Sequence, residues 1–231
     1  THSNSTIYTV GDQITFTTNT CDSNKIFIET TNDTSGNVSH DGVVELVSSS
    51  STQATLKVVG GGQATVIVRT ADGGGEDALC KEFTVRAKVE FNDSNIYRDN
   101  NNRKCLKLND EPYVEFTKYV IGSNINNPAT AGVSYESSDP KVVEVAQDGS
   151  VLGKYAGVST VTVGIPAYDA QGNKTWYTHD TVDVVVPFKK LGNQVSNMNV
   201  DDQLQLSTSA NPTEITWTTS NNAVLQVDAT T

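Results

Sequence analysis

With 231 residues, 36% of them hydrophobic and 19% charged, the chain can bury two modest cores, and its solubility rests on Asn, Ser and Thr more than on charge. A formal charge of −11 and a pI near 4.6, with no basic cluster denser than Arg103-Lys104 or Lys189-Lys190, exclude nucleic acid and anionic membrane surfaces as partners. No apolar run approaches the roughly 18 residues of a membrane span, so direct membrane insertion is not expected.

In chain order, period-two alternation of apolar and polar residues predicts strands at 7–10, 14–18, 25–29, 43–47, 54–59, 64–69 and 82–85. Gly11-Asp12, Asp41-Gly42, Gly60-Gly61-Gly62 and Asp72-Gly73-Gly74-Gly75 punctuate them. Both glycine runs lead into strands, whereas a phosphate cradle needs a helix to follow, so they read as hairpin loops. Strands that each offer one apolar face describe a β-sandwich. In such a sandwich Cys21 and Cys80 fall at the same end. They either form a disulfide, which implies export, or sit as two unpaired small side chains, and Cys105 is left over in both cases.

From Val85 the alternation runs on to Phe91, so the last strand of this first copy passes almost directly into a second. Asn92 to Arg103 reads as a polar loop containing Asp93 and Asp99. Calcium at this interdomain joint is the one cofactor expectation, although the loop lacks the Gly and terminal Glu of a helix-loop-helix calcium site. The second copy has predicted strands at 105–108, 114–118, 133–137, 141–145, 150–152, 160–165 and 181–186. Phe116 to Val133 spans 17 steps where the third copy, Leu206 to Ile215, spans 9, which places an excess of eight residues within 119–131. On a rigid sandwich such a loop is either a binding determinant or a tolerated surface insertion. Tyr135 and Trp217 begin corresponding strands and read as rings filling the space between sheets. Trp176 and Tyr177 are adjacent in a strand and face opposite ways, so one is expected to be exposed, to stack on a sugar or to pack on a neighbouring domain.

The copies align. Val10-Gly11-Asp12-Gln13-Ile14 returns as Val200-Asp201-Asp202-Gln203-Leu204, and Tyr135-Glu136-Ser137-Ser138-Asp139 falls on Trp217-Thr218-Thr219-Ser220-Asn221. Gly62-Gln63-Ala64-Thr65-Val66 falls on Gly157-Val158-Ser159-Thr160-Val161, and a third copy of that strand is not in the sequence. The expected fold class is all-β, a tandem array of immunoglobulin-like β-sandwiches, with domains at 1–88 and 89–188 and an incomplete third at 189–231. The third copy is expected to form its first strands, with the rest supplied by continuation of the parent chain or by another chain. With no signal-peptide core and Met198 its only methionine, the chain reads as an internal or processed segment.

These residues, together with Asp148-Gly149-Ser150-Val151 and Ala156-Gly157-Val158-Ser159-Thr160-Val161, resemble the bacterial immunoglobulin-like domain, group 2, of invasin- and intimin-type surface proteins and phage structural proteins. The resemblance spans nearly the whole chain, with Tyr135 where the family has Trp. It implies spacer and adhesive modules.

Catalysis is not expected: His2, His40 and His179 lie in separate contexts with no nucleophile at a recognisable spacing. Sequons at Asn4, Asn32, Asn37, Asn92 and Asn173 permit glycosylation. The sequence therefore suggests a non-enzymatic extracellular stalk on a cell surface, each sandwich closed independently, engaging protein or glycan on a host or neighbouring surface. A virion decoration protein and an accessory glycan-binding region of a secreted enzyme are the alternatives.

Overall fold

The computed structural model describes residues 6–17, 24–27, 42–50, 52–70, 79–108, 118–187, 198–204 and 216–227, and among them every regular element is a strand. Strands β1 (Ile7–Tyr8), β2 (Gln13–Thr17), β3 (Asn24–Phe27), β4 (Val44–Ser49), β5 (Gln53–Val58), β6 (Gly62–Thr70) and β7 (Leu79–Ala87) form two sheets, ordered β1-β7-β6-β3 and β2-β5-β4. Next come β8 (Tyr97–Arg98), β9 (Lys104–Lys107), β10 (Tyr119–Val120), β11 (Ser134–Ser137), β12 (Val143–Val145), β13 (Ser150–Gly153), β14 (Gly157–Tyr168) and β15 (Lys174–Val186). Their sheets run β11-β14-β15-β9-β8 and β10-β13-β12.

The second set repeats the order of the first, each strand moved on by eight, with β8 added at an edge. β1 pairs in parallel with β7, and β9 does the same with β15. A three-stranded sheet of second, fifth and fourth strands facing one built on the third, sixth and seventh is the arrangement of an immunoglobulin-like sandwich. The chain is therefore all-β and immunoglobulin-like.

Alternation produces the cores. On β5, Ala54, Leu56 and Val58 are buried while the residues between them are not. Leu56 and Val58 join Ile14, Val66 and Val85, while Ala54 packs with Leu46, Phe16 and Phe83, the last two meeting edge-on at 5.1 Å. In the second sandwich Val143 and Val151 face Val161, Val163, Val182 and Val184. Each such valine removed from water contributes about 1.5–3 kcal/mol.

The aligned polar elements have physical reasons too. Ser159 is fully buried, and its hydroxyl accepts the Asp139 amide at 2.9 Å and pairs with Ser137 and Ser138 hydroxyls at 2.9 and 3.2 Å. That network stitches the strand carrying Tyr135 to β14 without leaving a buried group unpartnered. Asp148 caps the turn into β13 by accepting the Ser150 amide at 3.0 Å. Gly149, at φ 78°, leaves room for the Tyr135 ring, whose hydroxyl lies 3.0 Å from where a β-carbon would stand. Tyr135, 4% exposed, is the core ring expected.

Several expectations need correcting. Residues 92–103 are not all loop, because Tyr97–Arg98 pairs with β9. The second strand of the second sandwich is Tyr119–Val120, Lys118 lies outside it, and 114–117 fall outside the described residues. β14 and β15 are 12 and 13 residues long, far longer than the apolar runs that announced them. The described residues of the third copy, 198–204 and 216–227, contain no strand, and Trp217 there is only half-buried. In both sandwiches the third strand pairs with the sixth, and the sequence contains no third copy of that sixth strand. The sandwiches are also not independent. Val43, Val89, Phe91, Ile125 and Ala131 carry one contiguous buried cluster from the first interior to the second.

Candidate functional site

The feature that most distinguishes this chain is the joint where that cluster crosses. From the first sandwich it takes Gly42-Val43 before β4, the connection Val59-Gly60-Gly61 between β5 and β6, and Lys88 to Asn92 leaving β7. From the second it takes the loop between β10 and β11, which holds the eight-residue excess.

Asn124 makes four hydrogen bonds there. Its side-chain amide donates to the Lys88 carbonyl at 2.8 Å and its Oδ1 accepts the Glu90 amide at 2.9 Å. Its backbone N–H donates to the Glu90 carbonyl at 3.0 Å and its carbonyl accepts the Gly61 amide at 2.9 Å. Asn126 spans two segments of the first sandwich, its Nδ2 donating to the carbonyls of Gly42 and Val59, each at 3.0 Å. The Ala131 carbonyl accepts the Gln63 amide at 2.7 Å. Asparagine suits this task because one short amide presents both donor and acceptor to backbone groups that have left their sheets. Each bond contributes a net 0.5–1.5 kcal/mol or so.

The glycine run forms the floor under this loop. A β-carbon at Gly61 would stand 2.5 Å from Asn124 Oδ1 and 2.8 Å from the Lys88 carbonyl, and one at Gly62 would stand 2.5 Å from the Ala131 carbonyl. Gly60-Gly61-Gly62 does connect two strands, yet all three are buried: a β-carbon at Gly60 would stand 2.3 Å from the Gly42 carbonyl of its own sandwich and Gly62 has a φ of 130°, while at Gly61 and Gly62 the close approach of the second sandwich adds to the need for glycine.

The linker is held as well. Phe91 bridges Ser123, and the Asn92 amide donates to the Gly122 carbonyl at 2.9 Å. The Phe91 amide donates to Asp180 Oδ2 at 2.8 Å, and Lys104 pairs with the same carboxylate and donates to the Phe91 carbonyl at 3.2 Å. Asp93 Oδ2 accepts the Gly122 amide at 2.8 Å and the Tyr119 hydroxyl at 2.7 Å, while its Oδ1 accepts the Asn95 amide at 2.8 Å. Burial pushes the Asp93 carboxyl up, but hydrogen bonds from Gly122, Asn95 and Tyr119 outweigh it and hold the group below its ordinary value.

Asp99, the other carboxylate of the 92–103 segment, accepts the amides of Asn101 and Arg103 and pairs with the Arg103 guanidinium at 2.7 Å. The two carboxylates considered for calcium, Asp93 and Asp99, thus face protein donors. Among the described residues no three His, Cys, Asp or Glu side chains are grouped to hold a metal ion. Beside β8 lies an open cavity of about 320 Å³ where Arg98, Arg103, Lys104, Asp180 and Asp183 meet. Its charges engage one another or the backbone: Arg103 reaches Asp183 at 3.1 Å and Arg98 donates to the Asn102 carbonyl at 2.7 Å.

Of the other residues singled out in the sequence, Tyr177 is 47% exposed and lies across the joint from Arg86, whose guanidinium carbon is 3.7 Å from the ring centroid. Trp176 is half-buried, lies over Gly164, and has the Lys174 ammonium 4.4 Å from its centroid and the His179 ring at 6.2 Å. Asn92 is exposed at the joint. Asn173, exposed at the tip of the β14–β15 hairpin, donates its amide to Asp169 at 2.9 Å. Cys105 is buried and unpaired, and burial raises its thiol. Cys80 lies on β7, but its side chain, like Cys21, His2, His40, Asn4, Asn32 and Asn37, is outside the described residues. Sequence reasoning located the long loop but missed Asn124, Asn126 and the glycine floor. A glycine triplet in only one copy was the signal available.

No family model and no curated protein matches the chain. Among solved structures it is similar to mouse protocadherin-24 EC1-3, at 10% identity and a TM-score of 0.22, covering 64% of this chain and 52% of that one. It is similar to invasin, described as a bacterial integrin-binding protein, at 11% identity and 0.27, covering 78% and 40%. It is also similar to the S-layer protein SbsC, at 10% identity and 0.23, covering 81% and 42%. The chain therefore spans about half or less of the length of these three structures, and likenesses this slight carry no function across. The immunoglobulin-like assignment rests on strand order alone. No helix of the described residues is long and apolar enough to cross a membrane.

Proposed function

We propose that this chain is a non-enzymatic spacer of bacterial immunoglobulin-like domains, divided at 1–88, 89–188 and 189–231, that holds a partner-binding element at a fixed distance from an extracellular surface. The partner is a protein or glycan on a host or neighbouring surface. The observation that carries this reading is the joint: Asn124 and Asn126 fasten the ends of the two sandwiches over a floor where no side chain fits. A freely jointed linker would transmit neither length nor direction, whereas a fastened joint transmits both.

Small-angle scattering of the intact chain tests it. One globule of this length would have a radius of gyration of about 17 Å. The spacer reading expects a clearly larger value and an extended distance distribution, and a globular profile would refute it.

A further inference from the structure

Past the end of β11 the β14–β15 hairpin continues as a two-stranded ribbon, because Gly164 is the last residue to pair with Ser134, and residues 165–168 and 174–178 pair only with each other. Its register shifts where Pro166 has no N–H to offer the ladder: Ile165 faces Thr178 and Pro166 faces Trp176, which leaves Tyr177 as the extra residue of a β-bulge. Tyr177 meets Arg86 of the first sandwich, so the ribbon is anchored across the joint. Val163 and Ile165 are buried in the core. Gly164, Pro166 and Tyr168 therefore lie on the opposite face, and their cross-strand partners His179, Trp176 and Lys174 share it.

That face carries an open ring and a prepared pair of charges. Trp176 is not the open ring: it lies on Gly164, where a β-carbon would stand 2.4 Å from it, and the Lys174 ammonium sits over it, 4.4 Å from the centroid. Lys174 is held there by Glu136 and by Ser134 Oγ, which accepts from it at 3.0 Å. The ammonium spends two of its three donors on these partners and the carboxylate one of its two oxygens, and both side chains remain reachable, at 29% and 48% exposure. Tyr168 is 68% exposed, and its ring and hydroxyl engage no other described residue. Along the strand, Tyr168 stands roughly 13 Å from the row that holds Gly164 and Ser134.

We propose that this face of the ribbon binds a neutral oligosaccharide, with Tyr168 stacking on the apolar face of one pyranose while Lys174 and Glu136 bind neighbouring hydroxyls of another. One oxygen of a vicinal diol accepts from the ammonium and the next donates to the carboxylate, so an uncharged ligand satisfies the pair without parting it. An anionic sugar would meet Glu136, Asp169 in the adjoining turn, and a chain of charge −11. The separation of ring and charges suits a short run of linked sugars and exceeds the reach of a single one. The inference deepens the spacer reading, on which it rests, by making glycan the partner class and this ribbon the element that meets it.

An array of neutral, sialylated and sulfated oligosaccharides tests it, probed with the intact chain displayed in many copies so that weak binding registers. The expected result is binding that favours neutral oligosaccharides. No binding, or binding that favours the anionic ones, overturns the proposal. With a neutral oligosaccharide that binds, titration calorimetry is expected to show affinity about tenfold weaker in Tyr168→Ala, largely recovered in Tyr168→Phe, and about fivefold weaker in Glu136→Gln. Tyr177→Ala, which alters the contact with Arg86, is expected to bind as the parent chain does. Unchanged affinity in Tyr168→Ala or Glu136→Gln, or a loss in Tyr177→Ala matching that in Tyr168→Ala, overturns the site as assigned. Scattering keeps the two readings apart: an extended chain that binds no glycan overturns the site and leaves the spacer, and a globular chain that binds one does the reverse.

Discussion

Replacing Gly61 with alanine adds one methyl group at a crowded point of the joint. The new carbon would lie 2.5 Å from Asn124 Oδ1 and 2.8 Å from the Lys88 carbonyl. Relief requires the Asn124 side chain to withdraw, which breaks its bonds to the Glu90 amide and the Lys88 carbonyl. Two net hydrogen bonds amount to about 2 kcal/mol, and residual overpacking adds about 1 kcal/mol. Against this, alanine lowers the entropy of the unfolded chain, which returns 0.4–1 kcal/mol or so. The balance is about 2 kcal/mol against closure, or roughly a 30-fold larger open population. Residue-resolved amide exchange reads it out, because the Gln63 amide donates across the joint to Ala131, whereas amides such as Val66 lie in the sheet behind it. Gln63 exchange is expected to rise about 30-fold with Val66 unchanged. Equal exchange at Gln63 in both proteins would refute the steric reasoning, and equal acceleration at both amides would mean that the substitution acts on the sandwich and not on the joint.

Asn126→Ala strips one amide from two carbonyls that water can still reach, so its cost is about 1 kcal/mol and Gln63 exchange is expected to rise about fivefold. Acid should loosen the joint through Asp93. Its folded-state pKa is depressed, so its contribution is complete above the unfolded value near 3.9 and is lost as pH falls through the lower folded value. Melting temperature is therefore expected to fall below about pH 4, and less steeply in Asp93→Asn; identical slopes would remove Asp93 from the account. Tyr177→Ala removes the ring facing Arg86, an exposed cation–π contact of about 0.5–1 kcal/mol, and should raise Gln63 exchange two- to fivefold or so, whereas Trp176→Ala should leave it unchanged. A glycan array run with the same two variants separates this packing role from sugar stacking.

How far the sequence could be read depends on where each residue's partner lies. β5 was legible because every second residue points into one core, and that period survives any neighbour. The outer half of β15 was not, because Lys174 to Asp180 alternates only between exposed and half-buried positions, and its residues are polar or aromatic on both faces. β8 is two residues at a sheet edge and has no period to detect. The joint was harder still. Asn126 acts on carbonyls 84 and 67 positions away, and an asparagine in a polar loop looks the same whether or not such a partner exists. The glycine triplet had a sufficient local explanation as a hairpin loop, and only the approach of the second sandwich gives it another. Loop length and a glycine triplet present in only one copy were the traces of the joint visible in the sequence, and they located its segments without their role.

Residual dipolar couplings on the intact chain test the locked joint most directly. Amide couplings from β6 and β7 and those from β14 and β15 are expected to fit one alignment tensor of common magnitude and orientation. If the two sets require separate tensors, the sandwiches move independently, and the bonds made by Asn124 and Asn126 do not hold them.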